Sequence, residues 1–314
     1  VEKLNVRILK STKMKNRLLK LSLTFILLIN VQSYAQENDD KKEDSKSNIQ
    51  TYTPSRLLNK GQWDIKFFNG LYTQTRQTDQ GSKGVDIPRE NYFTSTTEIF
   101  TGISDNNRIN IGAIIEFRSN TFNDRGAFSV FNFDGRAGLS TIAPAIKWQP
   151  LENVGNFSVQ SALHIPIHSE ESNADGFLDQ TAWAFQNRFF FDHTFESGKW
   201  QIFTELNTEY SFGASGKDDG NGNIIGKSFA DNTFLVSPGL FLSYFPNDVS
   251  TVLVFTQHLQ RFGDFAQDGT SLGFGGKYQL TDVVNLEALY SKFVRGNNFQ
   301  GLGATYSFGL RFLF

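Results

Sequence analysis

The chain has 314 residues, with 32 phenylalanines, 27 glycines and no cysteine. It can therefore form no disulfide, no thiolate metal site and no lipid anchor on a cysteine. Residues 1–35 hold seven basic residues and one acidic residue, and the remainder, with 23 basic and 31 acidic residues, carries a net charge of −8 that argues against a nucleic-acid partner. The mean hydropathy of −0.33 is too polar for a helical membrane protein, whereas the strands of a membrane β-barrel are apolar on one face only.

The N-terminus has the pattern of a secretory signal peptide. Met14 is followed by basic residues, by an apolar run over residues 21–29 and by a small-x-small tripeptide at 33–35. The apolar run is far shorter than the ~20 residues that a transmembrane helix needs. We predict a signal peptide over residues 14–35, preceded by residues 1–13 as an upstream extension of the reading frame.

A polar segment follows the signal peptide. Residues 37–50 mix acidic, basic and amide side chains with almost nothing to bury, which is typical of a disordered tail. Residues 52–58 could plug a barrel, but we interpret them as a lead-in to the first strand. We predict that the whole stretch 36–61 is a disordered N-terminal segment on the periplasmic side.

From residue 62 onward the sequence contains about twelve segments with the period-two alternation of β-strands. They run near residues 62–74, 90–103, 109–119, 139–149, 157–168, 181–195, 200–213, 229–245, 250–260, 270–280, 283–293 and 301–314. Short turns alternate with longer polar loops at 75–89, 120–138, 169–180, 214–228, 261–269 and 294–300. An even strand number with this sorting of loops is typical of a bacterial outer-membrane barrel. We predict an all-β fold, a transmembrane antiparallel up-and-down β-barrel over residues 62–314.

Aromatic residues favour this barrel over a soluble all-β protein. They gather at strand ends beside the short turns, where they would form an interfacial girdle, and not at mid-strand as in a sandwich core. They are Trp63, Trp148, Phe157, Phe195, Trp200, Tyr244, Phe245, Phe312 and Phe314.

Charged side chains of the predicted strands share one face. In the segment 200–213, Ile202 and Leu206 face one way, and Glu205 and Glu209 face the other. A charge that points into lipid costs about 2–4 kcal/mol at the bilayer midplane, so the charged faces are predicted to line the lumen. The predicted lumen-lining residues are Asp64, Lys66, Glu98, Glu116, Arg118, Lys147, Arg188, Glu205, Glu209, Lys277, Glu287 and Arg311. The segment 250–260 is apolar on both faces, which leaves its phase open.

Two prolines, Pro144 and Pro238, fall in the middle of predicted strands. A proline lacks the N–H that a sheet ladder uses, so each position predicts a bulge or local kink. The alternative is a weak point in the wall through which an apolar solute leaves sideways.

No motif predicts a reaction or a metal site. The string 219–224 (D-G-N-G-N-I) matches the middle of an EF-hand loop, but Lys217 and Ser228 stand where the first and the twelfth ligand should be. The sequence contains no Gly-x-Ser-x-Gly stretch, and its four histidines have no compact Ser and Asn partners. We predict neither enzymatic activity nor a cofactor, with a lipid-modifying enzyme kept as a minor alternative.

The C-terminus carries a family resemblance. Every even position from Leu302 to Phe314 is apolar or aromatic, and among the odd positions only Leu313 departs from small or polar residues. This pattern resembles the closing strand of bacterial outer-membrane barrels, which ends in an aromatic residue. The resemblance implies residence in outer-membrane lipid and an assembly signal, Phe314 with Phe312, that the barrel assembly machinery reads.

A second resemblance lies in the middle of the chain. Residues 138–148 (G-L-S-T-I-A-P-A-I-K-W) and 161–167 (S-A-L-H-I-P-I) resemble the transporter barrels linked to the MetA pathway of phenol degradation, which are loosely related to long-chain fatty-acid transporters. That family usually has Gly-Leu-Gly-Asp where this chain has Gly-Leu-Ser-Thr, and Pro-Thr-Gly where this chain has Pro-Ile-His. The resemblance implies import of small hydrophobic molecules.

These patterns together favour passive transport of a small solute, with a hydrophobic one as first candidate. A twelve-stranded barrel has a lumen narrower than that of 16–18-stranded porins, and a lining of both charges would pair off and narrow it further. A structural or adhesive barrel that acts through extracellular loops such as 120–138 is the alternative. A general porin is less favoured.

Overall fold

The computed structural model describes residues 54–314, apart from 134, 169–171, 174–175, 179, 214–216, 219–223 and 226–231. The strands of these residues are, in chain order, β1 (Trp63–Thr78), β2 (Gly84–Gly102), β3 (Ile109–Thr121), β4 (Arg136–Trp148), β5 (Phe157–Pro166), β6 (Ser172–Asn173), β7 (Gly176–Phe177), β8 (Ala184–Thr194), β9 (Trp200–Ser211), β10 (Lys217–Asp218), β11 (Ile224–Ile225), β12 (Thr233–Asn247), β13 (Ser250–Gly263), β14 (Gln267–Gln279), β15 (Val284–Asn297) and β16 (Ala304–Leu313). A short 3₁₀ helix, Ala127–Asn132, lies between β3 and β4.

Twelve of these strands close into one barrel, in the order β1-β16-β15-β14-β13-β12-β9-β8-β5-β4-β3-β2. Every pairing is antiparallel, and the barrel closes between β1 and β16, from Asp64 opposite Leu313 to Thr73 opposite Ala304. The pairs β6–β7 and β10–β11 are two-residue hairpins in the loops. The predicted all-β up-and-down barrel of about twelve strands is confirmed.

The two faces of the wall differ as the alternation requires. Along β16, Tyr306 and Phe308 are about half exposed on the outside, while Ser307 and Thr305 border the internal cavity. Polar and charged residues therefore face the lumen, and the outside is an apolar surface of the kind that lipid covers.

Two predicted loops are shorter than expected. The connection between β1 and β2 spans residues 79–83, not 75–89, and the connection between β13 and β14 spans 264–266, not 261–269. In the first, Arg76 lies opposite Asp86 beyond a register shift after Gln74. Neither face of this hairpin tip is continuously apolar, because polar residues lie opposite Val85, so the contrast between faces disappears although the ladder continues.

The loop between β3 and β4 folds back over the outside of the barrel. Ser119, whose side chain lies on the outer face of β3, donates a hydrogen bond to the Val130 carbonyl oxygen at 2.7 Å. Phe131 contacts the ring of Phe93 at 5.0 Å between centroids, and Val130 is fully buried. The loop thus covers polar groups of the outer face near this rim.

Candidate functional site: the lumen of the barrel

A cavity of about 550 Å³ lies inside the barrel, and side chains from all twelve barrel strands border it. A smaller cavity of about 110 Å³ lies toward the rim that carries the chain terminus, where Arg311, Asn285 and Phe245 border it. Because the strands alternate, each contributes every second residue to these spaces.

A continuous chain of charges runs from one side of the lumen, on β16, β1 and β2, to the other, on β8 and β9. Arg311 contacts Asp64 at 2.8 Å, Lys66 contacts Asp64 at 3.4 Å and Glu98 at 3.3 Å. Arg188 completes the chain, with 3.3 Å to Glu98 and 2.7 Å to Glu205. These groups neutralise one another, so the lining holds both signs with little excess of either.

The Arg188–Glu98 pair crosses the lumen. Glu98 lies on β2 and Arg188 on β8, and three strands, β3, β4 and β5, separate them along the wall. On the wall strands between them, the short side chains of Ala143, Ala145 and Ala162 face the inside, beside the longer Lys147 and Gln160. The two side chains therefore meet inside the barrel, and their salt bridge narrows the passage.

The other predicted lumen residues make local contacts. Lys277 pairs with Glu287 on the neighbouring strand at 2.8 Å, and Arg118 pairs with Glu116 of its own strand at 3.3 Å. Glu209 accepts a hydrogen bond from Gln186 at 3.5 Å. Lys147 binds no carboxylate among the described residues but donates to the carbonyl oxygens of Pro54 and Arg56.

The lumen also contains an aromatic wall, which was not predicted from the sequence. Four phenylalanines on consecutive barrel strands touch in series, at centroid distances of 6.1, 5.3 and 5.1 Å. We call Phe190, Phe203, Phe241 and Phe255 the phenylalanine wall. In the ring of twelve strands, β9 with Phe203 stands opposite β1 with Lys66. The lumen is therefore amphipathic.

Two details of the sequence pointed toward this wall. Phe203 is an apolar residue on the face of its strand that carries Glu205 and Glu209, and the segment 250–260 is apolar on both faces. The structure settles the phase of β13, since Phe255 faces the lumen while Val254 is 54% exposed on the outside. Gly273 lies beneath the Phe255 ring, where a Cβ would overlap it.

Two cationic side chains lie at the Phe190 end of the phenylalanine wall. The Lys147 ammonium lies 5.1 Å and the Arg188 guanidinium 5.0 Å from the centroid of the Phe190 ring. Both distances are within the range of a cation–π contact. The charged chain and the phenylalanine wall thus meet at Phe190.

Both prolines point outward and interrupt the ladder. The pairing of β12 with β13 stops at Val236–Gln260 and resumes at Gly239–Gln257, and that of β4 with β5 skips Ala143 and Pro144. The register is unchanged across each gap, so neither proline forms the expected bulge. The bulge of this region lies instead at Ser140, where β4 has one residue more than β3.

No group of three His, Cys, Asp or Glu side chains that could hold a metal ion occurs in the part of the chain that the structure describes. The EF-hand-like string 219–224 lies almost wholly outside it. His164 faces the lumen, with its Nδ1 at 3.4 Å from the Thr141 hydroxyl. Within the described ranges, no helix is long and apolar enough to cross a membrane.

Comparison with known proteins identifies the fold. No protein-family model matches the sequence, and no curated protein sequence matches it either. The COG4313 outer membrane channel from Pseudomonas putida F1 is similar in structure, with a TM-score of 0.62 and 10% identity over 88% of this chain and 100% of that one. The beta domain of the Bordetella autotransporter BrkA has a TM-score of 0.51 and 14% identity, over 80% and 99% of the two chains.

At these identities the similarities show the fold alone. Together with the closed barrel and its apolar outside, they define the chain as an outer-membrane β-barrel. The chain is similar in structure to an outer membrane channel, and its own lumen is amphipathic.

Proposed function

We propose that this barrel lets a small solute with an apolar face cross the outer membrane passively. The observation that carries the proposal is the cavity of about 550 Å³, in which a phenylalanine wall and a chain of paired charges meet. A solute that lies flat on the wall gains apolar burial, while its polar edge reaches hydrogen-bonding partners. The similar structure from Pseudomonas putida F1 is an outer membrane channel, which supports the same class of function.

A general diffusion porin fits this lumen poorly. The Arg188–Glu98 pair crosses it, and most of the predicted lumen charges are paired with one another. Wide porins use 16–18 strands to enclose an aqueous channel, whereas this barrel has twelve. We assign no enzymatic reaction to the barrel.

The structural or adhesive alternative rested on long loops such as 120–138. The described part of that loop packs on the outside of the barrel through Val130 and Phe131. It therefore offers a partner less surface than a projecting loop would.

Uptake into liposomes tests the proposal. Purified protein is reconstituted, and entry is measured for a panel of neutral saccharides, aromatic acids and alkyl alcohols. The variant Phe203→Ala with Phe241→Ala should slow entry of the solutes with an apolar face, because it removes the centre of the phenylalanine wall. The control Phe274→Ala removes a ring that is 59% exposed on the outer face and should leave entry unchanged. Equal uptake by all three proteins would contradict the proposal.

A further inference from the structure

We propose that residues 54–58 are a plug, bound in a peptide-binding site inside the mouth of the barrel. We call this stretch, Pro-Ser-Arg-Leu-Leu, the plug segment. Of the N-terminal region 36–61 that was expected to be disordered, the structure describes residues 54–61, and these contact the barrel wall from inside. Ser55, Leu57 and Leu58 are 0%, 7% and 3% exposed.

The first part of the site is Lys147. This lysine is buried, and its ammonium donates to the Pro54 carbonyl oxygen and, at 3.4 Å, to that of Arg56. No carboxylate lies within ion-pair distance of it among the described residues. A buried ammonium is costly unless its donors are satisfied, so the carbonyl groups of the plug segment stabilise a lysine that would otherwise lack partners. Nearby, the Leu58 N–H donates to the Asn110 Oδ1 at 3.2 Å.

The second part is an apolar patch on the lumen side. Leu58 packs in one cluster with side chains that line the barrel mouth: Phe100, Ile114, Ala143, Ala145, Ala162 and Leu313. A lumen that held only water would call for polar residues at these positions. The patch also explains Leu313, the one apolar residue on the small and polar face of the last strand.

The third part is Gly102 at the end of β2. The carbonyl oxygens of Leu58 and Asn59 occupy the position where a Cβ at this residue would stand. The backbone then runs out past it, with Gly61 N–H donating to the Gly102 carbonyl oxygen at 2.9 Å and Lys60 paired with Asp105 at 2.6 Å. A lysine, an apolar patch and a glycine from different strands thus contact one short peptide segment.

The plug segment stands where it can control passage. Pro54 borders both the large cavity of about 550 Å³ and the small cavity of about 110 Å³ near the rim. The segment therefore lies between the large cavity and the rim that carries the chain terminus. Release of the segment would join the lumen to the space beyond the rim.

Cysteine labelling tests this inference without any transport assay. The chain has no cysteine, so a thiol reagent reports only on an introduced one. In the reconstituted full-length protein, Ser55→Cys should be protected, while Arg56→Cys, whose side chain is exposed, should react. Adding Lys147→Met should speed labelling at position 55 by about tenfold or more, the change expected when a charged hydrogen bond is lost.

Lys277→Met is the matched control, because this lumen lysine pairs with Glu287 and does not contact the plug segment. It should leave labelling at position 55 unchanged. Rapid labelling of Ser55→Cys in the otherwise unaltered chain, or no acceleration by Lys147→Met, would overturn the inference.

A second variant separates release of the segment from misfolding. Gly102→Ala should displace residues 58–59 and raise the single-channel conductance, whereas Gly138→Ala, which adds a methyl group in open space, should not. Heat-modifiable migration on gels shows that each barrel is folded. Unchanged conductance of a folded Gly102→Ala barrel with faster labelling at position 55 would contradict the gating role. If no variant shows measurable conductance while Ser55→Cys stays protected from labelling, the transport proposal is contradicted and the plug is still supported.

Discussion

At the scale of single residues, the Arg188–Glu98 salt bridge is the contact that shapes the lumen. We expect Arg188→Met to shift ion selectivity toward cations, because it leaves Glu98 and Glu205 with fewer positive partners. Glu98→Gln should shift selectivity the opposite way, since it frees Arg188 and Lys66 from the shared carboxylate. The reversal potential in a salt gradient measures both shifts.

The two variants change the lumen charge by one unit each and serve as each other's control. Shifts of the same sign, or none, would show that the pair does not lie on the conducting path.

Phe314 is the second residue with a prediction of its own. Its side chain is 60% exposed, and its backbone N–H and carbonyl oxygen both bond to Trp63. Phe314→Ala should therefore leave the thermal stability of the folded barrel nearly unchanged but lower its amount in the outer membrane, if the resemblance to an assembly signal holds. Immunoblots of membrane fractions measure the amount, and Phe308→Ala on the same outer face is the control. Unchanged amounts for Phe314→Ala would remove the assembly role.

The sequence showed which face of each strand is charged, but not which charged side chains pair with one another. A carboxylate at position 98 must point away from lipid, because burial there is costly. That Arg188 reaches it depends on the closure of the barrel, which brings together residues 90 positions apart. Leu313 looked like an irregularity because its partner Leu58 lies at the other end of the chain.

At the scale of strands, Pro144 and Pro238 interrupt the pairing of neighbouring strands without shifting its register. Pro144→Val together with Pro238→Val supplies the missing N–H donors and should close both gaps in the wall. If an apolar solute leaves sideways at these gaps, its uptake falls while ion conductance stays the same. Liposome uptake beside single-channel recording distinguishes this outcome from a change in the whole pore. Equal uptake of the apolar solute before and after substitution would exclude the lateral route.

Strand ends were predicted least well, and the reason is physical. The tip of the β1–β2 hairpin has Arg76 opposite Asp86 and Gln77 opposite Val85, so no apolar face marks it as strand. Alternate residues of a strand differ in polarity where one face touches lipid. The difference is lost where the same strand continues into water, because both faces are then solvated. The loop at 122–135 shows the converse, because its apolar residues, such as Val130, serve packing on the outer wall.

At the scale of the whole molecule, sequence pattern was enough for the architecture. Among the described barrel strands, each pairs with the next along the chain, and the β1–β16 pairing alone joins strands far apart in sequence. Counting strands and sorting loops therefore predicted the barrel. The content of the lumen was not predicted in the same way, because the phenylalanine wall and the plug segment arise from side chains that meet only after closure.

The most direct test of the account is the single-channel conductance of the purified full-length protein in planar bilayers. A narrowed amphipathic lumen with its mouth plugged predicts small conductance steps, which grow when Gly102→Ala displaces the plug segment. Large ohmic steps in the unaltered protein, as from a wide aqueous porin, would contradict the account, and so would a folded barrel that shows no steps in either form.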